Sequence, residues 1–140
     1  MKKIILSIGF IILASYSFAQ ENRPFKGYYE NEEYKVYLKF NFYDNNLTVP
    51  GQEIFGKLPG FLGDKLDGRK WLISDAKIIN NKEADVSMIN DVGSEDLKAK
   101  ILLLNDSTLR LKQVEGSILK IARSGKWVRI PKILEFRPHK

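Results

Sequence analysis

The sequence predicts an all-β protein, an antiparallel up-and-down meander of about eight strands, with a closed barrel preferred over a two-sheet sandwich. Three observations carry that expectation. Segment 34–43, YKVYLKFNFY, alternates oily and polar residues over its whole length, the pattern of a strand with one wet face. Seven other runs rich in β-branched, aromatic and aliphatic residues flank it, each bounded by a turn signal. The connections between residues 80 and 126 are mostly short, so successive strands pair as neighbours. Closure follows because an open meander leaves two unpaired edges.

The chain opens MKKIILSIGFIILASYSFAQ: two lysines, an apolar run from Ile4 to Ala14, then Ser17-Phe18-Ala19 with small residues at its first and third positions. That layout is expected to be a signal peptide over residues 1–19, cleaved after Ala19. Residues 20–140 then form a single barrel domain, enough chain for one core and too little for two. The apolar run is short for a membrane span of about 20 residues, and no charged stop follows it. A secreted or periplasmic protein with no membrane span after cleavage is therefore expected. The chain has no cysteine, which excludes both disulfides and a lipid-bearing cysteine tether. Loss of Lys2 and Lys3 leaves 21 basic against 17 acidic residues, a net charge of +4. Basic and acidic residues are interleaved, so no nucleic-acid partner is expected.

The strands follow in order. FKGYYE (25–30) turns at Asn31-Glu32 into the alternating strand 34–43, where Tyr34, Val36, Leu38, Phe40 and Phe42 share one parity. Runs at 69–79, 83–89, 97–104, 107–113, 117–122 and 126–130 complete the expected set. Two segments break the alternation. VPGQEIFGKLPGFLGDKLDG (49–68) carries two prolines and five glycines among Ile54, Phe55, Leu58, Phe61 and Leu62. It is expected to be a long loop folded back on the body, with a short strand at 53–55. Beyond Pro131, Ile133, Leu134 and Phe136 call for a final short strand or a strap across one end.

Chemistry is constrained mainly by exclusion. With no thiol and a single histidine, His139, next to a terminus where chains usually fray, neither a nucleophilic triad nor a histidine-ligated zinc site has material. Gly51, Gly56 and Lys57 have the spacing of a phosphate loop, but Leu58 stands where a hydroxyl is required. The acidic stretch INDVGSEDL (89–97) lacks the alternate-position rhythm of a calcium loop and reads as a hairpin turn. Asp75, inside WLISDAKII, is read as a structural ion pair. No catalytic residue, metal site or cofactor is expected, and the protein is read as no enzyme.

At FKGYYENEEYKVYLKFNFY the arrangement resembles the opening of calycin-type, lipocalin-like barrels, whose first strand carries a Gly-x-aromatic motif that plugs one end. Gly27-Tyr28-Tyr29 takes that place, with tyrosine where those barrels usually have tryptophan. The resemblance implies a cup for a small apolar or amphipathic ligand, with the loop from Gly51 to Gly63 as its lid. An eight-stranded barrel is just wide enough for packed side chains or one small ligand.

An exported, non-catalytic binding protein for such a ligand is the expected function. Phe40, Phe42, Phe55, Phe61 and Trp71 are the expected ligand contacts. The alternative is an extracytoplasmic module that meets a protein or a glycan, such as an envelope enzyme inhibitor. Its expected surface is Tyr37 and Tyr43, which share the wet parity with Lys35 and Lys39.

Overall fold

The computed structural model describes residues 23–139, so the expected signal segment 1–19 lies outside the described residues. Eight strands close into one antiparallel barrel: β1 (Lys26–Asn31), β2 (Val36–Asn41), β5 (Gly60–Asp64), β6 (Trp71–Asn80), β7 (Glu83–Asn90), β8 (Asp96–Asn105), β9 (Thr108–Gly116) and β12 (Ile133–Pro138). Each pairs with the next in chain order, and β12 returns to β1. Two short ribbons leave this path. One, β3 (Leu47–Thr48) with β4 (Lys57–Leu58), lies between β2 and β5, and the other, β10 (Lys120–Arg123) with β11 (Lys126–Arg129), lies between β9 and β12.

Strand period 2 sorts the side chains. On β7, Ala84, Val86 and Met88 are buried while Asp85 and Ser87 between them are not. Leu97, Ala99 and Ile101 on β8 meet them across the ladder, with Ala84 opposite Ile101 and Ala99 opposite Val86, so that small faces large. A single apolar cluster runs through the interior, from Phe25 and Phe42 at one end through Leu38, Leu111 and Phe136 to Ile121. Side chains therefore fill the barrel. Each buried Leu, Ile, Val or Phe contributes roughly 1.5–3 kcal/mol relative to exposure.

The strand count agrees with the sequence reading, but two members of the set differ. The runs at 117–122 and 126–130 do not enter the barrel; they make the separate β10–β11 hairpin, whose ladder runs only within itself. Their places are taken by β5, inside the glycine-rich segment, and by β12. The physical reason is close approach. A Cβ at Gly60 would collide with the Lys39 carbonyl and Phe40, and one at Gly63 would enter the Tyr37 ring, so glycine lets β5 pair tightly with β2. The expected strand at 53–55 is a 3₁₀ turn.

Nor does the glycine-rich segment cover a mouth. Val49, just after β3, and Leu58 of β4 pack on Phe61, Leu72, Ile89 and Tyr37, forming a second small core outside the barrel. A bulge in β6 helps to set the two faces. The register slips between Ile73 and Asp75, so Trp71 and Ile73 point inward before it and Ala76 and Ile78 after it. Asp75 thereby lands exposed on the outer face, and the ion pair expected for it is not made among the described residues.

Candidate functional site

Three connections meet at one end of the barrel: residues 65–70 between β5 and β6, residues 91–95 between β7 and β8, and the β10–β11 hairpin. They enclose a cleft of about 240 Å³. Its apolar lining includes Leu62, Trp71, Ile121 and Trp127, and its polar lining includes Lys70, Asn90, Asp91 and Lys120.

Each wall is held by local chemistry. The acidic stretch is the turn from β7 to β8, and Asn90 organises it: Asn90 Oδ1 accepts from the Ser94 and Glu95 N–H groups, while Nδ2 donates to Ser94 Oγ. Gly93 supplies the positive φ that the turn needs. The neighbouring wall joins it where the Lys70 N–H donates to Asp91 Oδ2, 3.2 Å away.

The hairpin is fastened by side chains rather than by a ladder. Arg123 donates from Nη1 and Nη2 to the two oxygens of Asp64, at 2.6 and 2.8 Å, and from Nη2 to the Tyr34 carbonyl. Asp64 is only 4% exposed, and its carboxylate holds the Arg123 guanidinium even more firmly protonated than usual. Lys120 pairs with Glu95 at 2.9 Å, and Trp71 Nε1 donates to the Lys120 carbonyl at 3.2 Å. Leu119, Ile121 and Ile130 then project into the main core and close that end. The Arg69 guanidinium lies 5.0 Å from the Trp127 ring centre.

Chemically, the cleft offers an indole floor, an exposed indole rim and polar groups of both signs. Three of its carboxylates are engaged: Asp64 by Arg123, Glu95 by Lys120, and Asp91 by a backbone N–H. Among the described residues no group of three or more His, Cys, Asp or Glu is placed to hold a metal ion. Likewise, among the described residues no helix is long and apolar enough to cross a membrane.

The expected contact residues scatter. Trp71 lines the cleft. Phe40 and Phe42 are buried in the interior with ring centres 5.0 Å apart, filling space rather than facing a void. Phe61 points outward under the β3–β4 ribbon, and Phe55 sits half-exposed on the 3₁₀ turn, so neither joins Trp71. Phe40 and Phe42 point inward as their parity requires, whereas the β3–β4 ribbon gives Phe61 a separate compartment that parity counting cannot foresee.

Tyr37 and Tyr43 do not form one open surface either. Tyr37 lies over Gly63 with its ring edge-on to Phe61, and burial holds its hydroxyl above the usual phenol range. The Tyr43 hydroxyl accepts a hydrogen bond from the Phe25 N–H. The Gly-x-aromatic motif divides its rings. Tyr29 packs on Phe40 at 5.7 Å, while Tyr28 lies outside, stacked on His139 at 4.2 Å.

His139 is thus ordered rather than frayed. Its N–H donates to the Tyr28 carbonyl, and Nδ1 lies 2.8 Å from Glu30 Oε1. Lys65 meets the same Glu30 carboxylate, and these two partners, Lys65 foremost, hold it below the usual carboxylate range.

Fold and cleft together define a class: a closed eight-stranded up-and-down β-barrel with a packed interior and a cleft of about 240 Å³ at one end. Comparison with protein-family models, with curated proteins and with solved structures gave no match for this chain.

Proposed function

We propose that the protein is an exported, non-catalytic binding module of the calycin type that takes a small amphipathic ligand in the cleft between Trp71 and Trp127. The observation that carries this reading is the composition of that cleft. A flat apolar floor lies beside Lys70, Asp91 and Lys120, which suits a ligand with an oily body and a polar edge. The volume accommodates only a compact ligand, or one part of a larger one. The filled interior favours the barrel end over a deep cup for such a ligand. The engaged carboxylates support a non-catalytic role, because ion-paired acids make poor proton carriers.

A thermal-shift and tryptophan-fluorescence screen against amphipathic metabolites, fatty acids and short glycans tests the reading. A binder should raise the melting temperature and perturb indole emission. Trp127→Ala should weaken its binding about tenfold, the loss expected for partly uncovering an aromatic contact, whereas Tyr37→Ser, outside the cleft, should leave the affinity unchanged. Absence of any binder across the screen, or a response that survives Trp127→Ala and disappears with Tyr37→Ser, overturns it. The latter result would favour a glycan- or protein-facing module on the outer wall.

A further inference from the structure

Each of the three connections that wall the cleft also carries one apolar side chain out into solvent. Leu66 is 65% exposed, Val92 77% and Trp127 61%. They belong to one rim. Val92, Trp127 and Arg69 border the cleft, and Leu66, Trp127, Arg69 and Lys126 border the shallow depression beside it. Large apolar side chains clustered at solvent-facing loops mark contact surfaces more often than isolated ones do.

Charge singles out the kind of surface. Residues 64–70, 91–95 and 120–129 hold seven Lys and Arg against four Asp and Glu. The acids are engaged locally: Asp64 with Arg123, Asp67 with Arg69, Glu95 with Lys120, and Asp91 with the Lys70 N–H. Among the described residues the Lys70 ammonium donates only to the Gly68 carbonyl, and Lys126 makes no ion pair. The rim therefore presents cations beside an indole and two aliphatic side chains.

We propose that this end of the barrel docks on an anionic lipid bilayer, with Trp127, Leu66 and Val92 entering the headgroup zone and Lys70 and Lys126 meeting lipid phosphates. Three features favour a bilayer over a protein partner. The apolar groups stand on three separate connections, and Leu66 lies outside the cleft that Val92 and Trp127 border. Indole is the side chain best suited to the polar–apolar boundary of a membrane. Few apolar contacts become effective when lysine and arginine add electrostatic attraction. This proposal goes beyond the cleft reading, because Leu66 and Lys126 do not line the cleft.

Co-sedimentation with phosphatidylcholine vesicles, with and without phosphatidylglycerol, tests it using the processed chain. Binding should require phosphatidylglycerol and be accompanied by a blue shift of tryptophan emission. Lys126→Glu should weaken binding at least about fivefold, the worth of one cation near such a surface, and Leu66→Ser should weaken it about fivefold through lost burial. Both variants should keep the parent's melting temperature and its affinity for any cleft ligand. A soluble polyanion provides the control. If Lys126→Glu lowers polyanion and vesicle binding alike while Leu66→Ser changes neither, the rim is merely an anion patch and the proposal fails. Sedimentation independent of phosphatidylglycerol, or no sedimentation at all, also overturns it.

Discussion

Arg123 and Asp64 meet through two hydrogen bonds, at 2.6 and 2.8 Å, that join the tip of the β10–β11 hairpin to the end of β5. They are 59 residues apart in the chain. Since β10 and β11 pair only with each other, this contact, the Lys120–Glu95 pair and the Trp71 hydrogen bond are the principal polar ties between hairpin and barrel.

Removing one partner of that pair should therefore be costly. Arg123→Ala strands a nearly buried carboxylate, and a loss of about 3 kcal/mol is expected in urea denaturation. Hydrogen exchange should locate the effect. Amides of residues 120–129 should lose protection first, while those of β7 and β8 keep theirs.

Gly63→Ala should cost about 1–3 kcal/mol, because the new methyl group occupies the space of the Tyr37 ring. Tyr37→Ala removes the obstacle, along with its contact to Phe61. The double variant should be more stable than the sum of the two losses implies. Strict additivity in thermal denaturation would mean that Tyr37 does not lie over Gly63.

The Glu30 cluster predicts a sign for the pH dependence. Its carboxyl is held below the ordinary value by Lys65 first and His139 second. Its contribution to stability is then complete above about pH 4.3 and is lost as pH falls through the depressed folded value. Denaturation midpoints measured from neutral to acid pH should fall less steeply for Glu30→Gln than for the parent. Parallel curves would exclude Glu30 as a contributor.

Interior and rim leucines should differ sharply. Leu38→Ala opens a cavity in the filled barrel and should cost about 3 kcal/mol. Leu66→Ser, on the exposed rim, should stay within about 0.5 kcal/mol. Trp71→Phe lies between them, losing the hydrogen bond to the Lys120 carbonyl at about 1 kcal/mol. Chemical denaturation of the three variants checks the order.

Much of the architecture is legible in the sequence, because alternation is a local property. Val36, Leu38 and Phe40 face inward as their parity requires, and the turn at 91–95 forms where Asp91, Gly93 and Ser94 favour it. At β5 the glycines that mark a loop in isolation instead permit two strands to approach closely. Position alone predicts a frayed His139, yet Tyr28 and Glu30, far away in the chain, lie close to it in space.

By itself, then, the sequence determined the class of fold, the number of staves and the lack of thiol chemistry, because hydrophobic period and composition act residue by residue. Only the tertiary structure decided which segments became staves, that side chains fill the interior, and that Trp71, Trp127 and the turn at 91–95 share one cleft. Those outcomes depend on bulges, on close approach at glycine and on ion pairs between distant residues, all of which exist only once the sheet has closed.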